Sequence, residues 1–522
     1  MRTLLRGITV IAMDDERGAE PFEADVLVEG DRIAEVAPPG SVSELPGDTV
    51  IPGRDRLVTP GLINAHLHSW EALFRGRYDN LPLELWMLLS YPILGLEPLP
   101  ERVIHLRTLM VAIESLKNGV TCVLDDVIES PGQSLEALGA VFEAYEQAGI
   151  RANCSGNIVN RYFTDTIPFA NELLPAAVVE RVHAEPPPTT EHYLEFSREA
   201  LARFDGRAGR LRYVIAPSGP QRCTDDLLVA ANELSREHDT TYHIHVLETK
   251  VQAVTGHEFY GDTLVGYLDG LGVLSERATL AHGIWLTDED IGALARSGAS
   301  VAHNAISNQK LGAGIAPFRK LLDAGVNVAL GSDGLSSSDS ARMFDVIKAA
   351  ALLHKVTTPD YEQWPTATEI LWAATRAGAR SMRLEGVTGA IAPGMKADLV
   401  LYDLRTLNFT PRNDLRNHLV YSENGSSIEQ VMVDGRVVVR DGVCTQIAED
   451  AVLEELRALA PELLARHGRA EEMTRVFAPA FAAIHRRCCA TPLPINRYGG
   501  PDPGALGLDG QGGTRSFGTV GP

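Results

Sequence analysis

The chain has 522 residues, of which 45% are hydrophobic and 22% charged, and it carries a formal net charge of −22. That length exceeds one ordinary core, so a large domain and a smaller one are expected. The acidic balance disfavours a phosphate backbone as partner, because such binding needs clustered Lys and Arg, and no uncharged apolar run is long enough to span a bilayer. Nucleic acid and membrane drop out as expected partners, which leaves a small-molecule substrate.

The first residues pass directly into alternating sequence, without an apolar signal core or a small-residue cleavage site, so a cytoplasmic protein is expected. Residues 4–58 read as short strands and turns, with a hairpin turn at Gly30-Asp31. From 59 to 389 short apolar strands alternate with amphipathic helices such as 135–148 and 227–237, the rhythm of a parallel α/β fold. Eight strand candidates end near His68, Asp125, Asn157, Ala216, His245, His282, His303 and Asp333. Eight βα units imply a (β/α)₈ TIM barrel, whose chemistry gathers at the C-terminal strand ends.

Strand signals return at 397–402 and 431–439, with a strong turn at Asp434-Gly435. The two chain ends therefore read as one small β-sandwich, 1–58 with 390–445, interrupted by the barrel. Residues 446–490 read as a helical extension, with Leu453, Leu456, Leu459, Leu463 and Leu464 at helical spacing. Its expected role is to pack on the body or on a second subunit, a homodimer being the expected oligomer. Residues 491–522 are rich in Gly and Pro and are expected to be disordered. Six cysteines lie scattered without metal-type spacing and read as reduced thiols.

His66 and His68 end the first barrel strand, and alternate strand residues face the same way. Two imidazoles at that spacing can hold half of a metal's first shell, although spacing alone equally describes two ordinary histidines. The fifth strand ends in His245, with Glu248 three residues on; the sixth ends in His282 and the eighth in Asp333. If His66, His68, His245 and Asp333 converge, they form a three-nitrogen, one-oxygen site with room for a water, as a catalytic metal requires. Glu248 is then placed to move a proton and His282 to polarise a substrate, with Asp333 also beside the chemistry. The set points to hydrolysis. One divalent ion is expected, Zn²⁺ first and Fe²⁺, Mn²⁺ or Co²⁺ as alternatives. His243, deeper on its strand, reads as a hydrogen-bonded polar residue inside the barrel, Asp125 and Asp126 as support, and His105, His183, His192 and His467 as solvated.

The ordered motifs TPGLxNxHxH, xHxxET, xAHG, HNxxSNxKLGxGxxP and LGSDG resemble the amidohydrolase superfamily. The chain is similar to its mononuclear-metal branch, which contains S-adenosylhomocysteine and methylthioadenosine deaminases and triazine deaminases and chlorohydrolases. That resemblance implies a barrel inserted in a β-sandwich, metal-site roles for His66, His68, His245 and Asp333, and catalytic roles for Glu248 and His282. Residues 213–217 offer no lysine to bridge a second metal. The stretch 75–87, RG…DNLPLELW, is similar to the deaminase branch. Substrate-contact candidates are Trp70, read equally as a stacking face or a packing aromatic, together with Trp86, Ser218, Gln221 and Asn308, the last at even odds with structural bonding. Ser218 stands where adenosine-type enzymes carry histidine, Gly95 aligns where they carry a ribose-binding glutamate, and Ala305 replaces the proline of HNP.

The expected function is hydrolytic deamination of an amino-substituted heterocycle or amidine-like molecule, with hydroxide on the metal attacking an sp² carbon. The alternative is cleavage of another C–N, C–Cl or C–S bond by the same route. A catalytically silent metal-binding protein is disfavoured, because it would need neither Glu248 nor His282.

Overall fold

The computed structural model describes residues 2–500. Strands β1 (Arg2–Val10), β2 (Phe22–Glu29), β3 (Arg32–Ala37), β4 (Thr49–Pro52) and β5 (Arg56–Pro60) come from the first chain end. The β2–β3 hairpin closes with Glu29 opposite Arg32, and Gly30 takes the left-handed conformation that the turn needs. β5 belongs to this outer sheet through Pro60, so the barrel begins slightly later than residue 59.

Eight parallel strands follow: β6 (Leu62–Leu67), β7 (Val120–Asp125), β8 (Arg151–Ser155), β9 (Leu211–Val214), β10 (Tyr242–Val246), β11 (Ala278–His282), β12 (Ser300–His303) and β13 (Asn327–Leu330). They pair in sequence order as β6–β9 and β10–β13. One seam is joined by Ile215 pairing with Tyr242, the other by the Asp333 amide donating to His66 carbonyl at 2.9 Å. The barrel thereby closes on itself, and six of its strands are buried throughout, only Asn327 at the start of β13 and Arg212 in β9 being partly exposed. Local sequence explains the helices between: Leu135–Ala148 starts where Ser134 accepts the Ala137 amide at 3.1 Å and stops at left-handed Gly149.

β14 (Leu399–Asp403), β15 (Ile428–Val433), β16 (Arg436–Arg440) and β17 (Val443–Cys444) complete the outer domain. The expected two-layered sandwich is joined along a single hydrogen-bond path, β17-β16-β15-β14-β5-β1-β2-β3, with β4 beside β1. Leu5, Ile8, Val26, Ile33, Val58, Leu399 and Leu401 form its core. Asp434 and Gly435 both have positive φ, and a Cβ on Gly435 would collide with the Gly30 carbonyl, so the two hairpin turns meet only because glycine stands there.

The extension is two helices, Glu449–Arg475 and Ala478–Ala490, laid on the body. Phe481, Ile484 and Cys488 pack with Leu85 and Leu88 from the segment after β6. His467 is buried there, 3.0 Å from the Leu89 carbonyl and 3.1 Å from Tyr78 hydroxyl, rather than solvated as expected. Residues 491–500 are likewise docked instead of disordered: the Ile315 amide donates to the Arg497 carbonyl at 2.7 Å, and Tyr498 meets Trp285 edge-on. Residues 501–522, where the rest of the expected disorder falls, lie outside the described residues. All six cysteines are free and buried.

A buried ion pair ties the barrel floor to the outer sheet. Arg151 at the start of β8 donates to both Asp398 oxygens, at 2.8 and 3.1 Å, and to Asp434 at 2.5 Å. Arg151 is 2% exposed and Asp398 0%. Removing one partner leaves a buried charge uncompensated, so Asp398→Asn is expected to cost about 3 kcal/mol, read as a lower urea midpoint; an unchanged midpoint would show that the pair contributes nothing.

Candidate metal centre and active site

The expected side chains do meet. His66, in β6, and His68, just beyond it, stand with ring centroids 4.7 Å apart. His68 Nε2 is 3.2 Å from His245 Nε2, and Asp333 Oδ1 lies 3.5 Å from His66 Nε2 and 3.6 Å from His68 Nε2. All four are at most 5% exposed.

Each imidazole is fixed from behind. His68 Nδ1 donates to the Asp126 carbonyl at 2.7 Å and His245 Nδ1 to the Ser218 carbonyl at 3.0 Å. His66 Nδ1 faces His243 Nε2 at 2.9 Å, which is where the deeper histidine of the strand does its work. With the Nδ1 protons spent on these partners, the Nε2 lone pairs are turned toward one another. His66 Nε2 is buried and has no hydrogen-bond partner. Lone pairs this close repel unless a cation lies between them, so the donor set fits a divalent metal ion. Among the described residues the triplets His66–His68–Asp333, His66–His245–His282 and Glu248–His282–Asp333 each bring ligand atoms within 4.8 Å, as does His68–Asp126–His245. The Asp126 carboxylate is already held by Ser155 Oγ at 2.5 Å and Asn157 Nδ2 at 2.8 Å, which makes it a supporting group.

The electrostatics agree with a site built around positive charge. Burial lowers His66 to about 4 and holds His245 well below its ordinary value. Burial opposes protonation of His68 too, but the Asp126, Asp333 and Glu71 carboxylates outweigh it and raise it to about 9. Against the pull of burial, the neighbouring imidazoles of His66, His282 and His68 hold the Asp333 carboxyl well below its ordinary value. Glu248 is the reverse: burial, reinforced by Asp333, pushes its carboxyl well above the carboxylate range.

His282 Nε2 is 3.6 Å from Glu248 Oε2 and 4.0 Å from Asp333 Oδ2. Its Nδ1 is held by Asn308 Oδ1 at 3.1 Å, with Asn304 Nδ2 at 3.3 Å. Asn308 thus sets the orientation of His282. Trp70 is 2% exposed, packed against Phe74 and Tyr91 with the Arg107 guanidinium over its ring, which is the packing alternative. Trp86 is also buried, edge-on to Tyr91. Ser218 carries the carbonyl behind His245, and Gln221 is buried with Oε1 unpartnered. Gly95 has positive φ, a backbone conformation that disfavours any side chain, and a Cβ there would displace the terminal methyl of Met473 in the extension.

Sequence reading passed over Glu71. It is 1% exposed, accepts the Ser336 amide at 3.1 Å and hydroxyl at 2.9 Å, and so anchors the loop that carries Asp333. A lone acid within the otherwise uncharged run Ser69–Phe74 was the available signal. Ser307 Oγ, which donates to Asp333 Oδ2, was equally hidden within the HNxxSN motif.

Eight parallel strands with this cluster at their C-terminal ends define a metal-dependent hydrolase of the barrel type. The chain belongs to the amidohydrolase family, whose profile matches residues 57–438. It is 32% identical to a 5′-deoxyadenosine deaminase of Methanosarcina mazei over 465 residues, 89% of this chain and 98% of that one. It is also 32% identical to a 5-methylthioadenosine/S-adenosylhomocysteine deaminase of Syntrophomonas wolfei over 470 residues, 89% of this chain and 100% of the relative. Among solved structures it is similar to an atrazine chlorohydrolase from Arthrobacter aurescens TC1 complexed with zinc, with 25% identity, a TM-score of 0.78 and coverage of 88% and 100%. It is a hydrolase acting on non-peptide carbon–nitrogen bonds.

If His243 orients His66, then His243→Leu weakens metal affinity by roughly 10–100-fold in a chelator competition while the far-ultraviolet dichroism is kept. Unchanged affinity would reduce His243 to barrel filling.

Proposed function

We propose that this chain is a zinc-dependent hydrolytic deaminase of a small amino-substituted heterocycle, with His66, His68, His245 and Asp333 holding the ion. The observation that carries the reading is the placement of Glu248 and His282 beside the converging donors, since a site that only stored metal would need neither. The deaminase relatives support it.

A divalent ion bound there would supply Lewis acidity that brings the proton of a coordinated water within reach of neutral pH. Glu248 takes a proton from the attacking water and delivers it to the exocyclic nitrogen, so that the carbon–oxygen bond forms, the carbon–nitrogen bond breaks and ammonia leaves. Its raised carboxyl affinity suits a group that must hold a proton midway through this exchange. His282, kept neutral chiefly by burial, presents Nε2 to the reacting centre with its other nitrogen held by Asn308. Asp333 accepts hydrogen bonds from Ser307 Oγ and the Gly334 amide at 2.7 Å, and these fix its oxygens for the ion and the incoming water.

The similarity to a chlorohydrolase supports a second reading, in which the same carbon is attacked and chloride or an alkylamine departs. The released product decides. Ammonia from a panel of aminopurines, aminopyrimidines, aminotriazines and aminopterins is the expected result; chloride or amine release without ammonia would replace the first reading by the second. Glu248→Gln is expected to lower turnover roughly 10²–10⁴-fold with metal content unchanged, and unaltered turnover would remove Glu248 from the mechanism. Chelation is expected to abolish activity and zinc to restore it, whereas full activity in metal-free protein would overturn the reading.

A further inference from the structure

Next to Gln252, whose side chain holds the Glu248 amide, lies a small cavity of about 30 Å³ walled by Leu83, Met87, Phe163, Ile167 and Val251, with Arg222 and Gln252 also in its lining. Arg222 stands in the loop after β9, four residues beyond Ser218. Its guanidinium has only Ser218 Oγ at 3.2 Å and Met87 Sδ at 3.1 Å as partners among the described residues. Thioether sulfur is a weak acceptor, so this half-buried cation has no carboxylate within ion-pair distance among the described residues. The acid that shares the cavity wall, Glu84, is engaged elsewhere: it accepts from Thr249 Oγ at 2.8 Å and pairs with His485 Nδ1 at 3.1 Å.

Gln252 adds a second donor. Its Oε1 accepts the Glu248 amide at 3.0 Å, which fixes the amide orientation and leaves Nε2 buried and unpartnered. The residue is 5% exposed. A buried, unused N–H is costly to maintain unless something fills its need, and a half-buried cation without a carboxylate stands beside it. Both donors belong to the shell of the reactive centre, one through Ser218 behind His245 and the other through the Glu248 backbone. Consistently, the charge of Arg222 acts on His245, Glu248 and His282.

We propose that Arg222 and Gln252 form a substrate subsite for a carboxylate carried on the heterocycle, making this chain selective for acidic amino-heterocycles. The inference rests on the deaminase reading for the word substrate. A carboxylate matches the donors because guanidinium offers a fork for two coplanar oxygens and the amide supplies one more hydrogen bond.

The test is binding rather than turnover, with nicotinate and nicotinamide as a charged and a neutral ring ligand of nearly equal shape, titrated calorimetrically into full-length, zinc-loaded protein. Wild type is expected to bind nicotinate about tenfold more tightly than nicotinamide. In Arg222→Met the preference is expected to fall within about twofold, in Arg222→Lys to survive in part, and in Gln252→Glu, which keeps the acceptor for the Glu248 amide but adds a negative charge, to reverse. Equal binding of the two ligands by wild type, binding of neither, or a nicotinate preference that persists in Arg222→Met would overturn the subsite. Because neither ligand is turned over, failure of ammonia release with a retained nicotinate preference would fault the deaminase reading alone, and the converse would fault the subsite alone.

Discussion

Three imidazole lone pairs and one carboxylate oxygen are forced to face each other inside a closed barrel, and the rest of the structure is arranged around that repulsion. Each Nδ1 proton must be spent on a specific acceptor for the Nε2 lone pairs to converge, and the acceptors come from three places: the Asp126 carbonyl just beyond β7, the Ser218 carbonyl beyond β9, and His243 inside β10. Barrel register is therefore a chemical constraint. A slip of one residue in β6 would turn His66 and His68 outward and bring Ala65 and Leu67 inward, exchanging ligands for methyl groups.

The same demand appears in the backbone. Leu247, His282 and Asp333 all take left-handed φ, at +54°, +77° and +64°. For residues other than glycine this costs on the order of 1 kcal/mol each, and it persists only where surrounding structure overdetermines it. These three lie at or beyond the ends of β10, β11 and β13, where the chain must break from the strand to aim a side chain across the barrel mouth. The Asp333 loop is held by Glu71 and by Asn64, whose amide exchanges two hydrogen bonds with Ser332, at 2.8 and 2.9 Å. Strain at the site is offset by bonds made one layer behind it.

That layering explains what could be read from sequence. The convergence of His66, His68, His245, Glu248, His282 and Asp333 was legible because few residue types offer metal-donor or proton-transfer atoms and strand geometry restricts their spacing. The eight strands were legible because burial on both faces writes continuous apolar runs. Glu71, Ser307 and Gln252 were not, since a hydrogen bond from behind can be supplied by many residue types from many positions. His467 misled for a related reason: its helix shows apolar spacing, yet one polar side chain on the inner face is indistinguishable in sequence from one on the outer face until Tyr78 and the Leu89 carbonyl are found beneath it. The continuous hydrogen-bond path through the outer sheet was also invisible, because alternation marks strands without telling which edges join.

The extension shows how a segment outside the matched family profile becomes part of the site. Glu84 joins three pieces of chain that are far apart in sequence: its own helix after β6, Thr249 at the start of the helix after β10, and His485 near the C-terminal end of the extension. Burial alone would raise the Glu84 carboxyl, but His485 and Thr249 hold it below its ordinary value, and His485 is raised to about 10 against its own burial by Cys489 and Glu84. Thr249 follows directly on Glu248, so Glu248 is tethered on one side by the Gln252 side chain and on the other by a network that ends in the second helix of the extension. A second tie, Lys250 Nζ to the Cys489 carbonyl at 2.8 Å, crosses the same gap. With both walls of the mouth fastened to one extension, the small cavity next to Gln252 is preformed, and the half-buried charge of Arg222 stands in its lining without a carboxylate of its own.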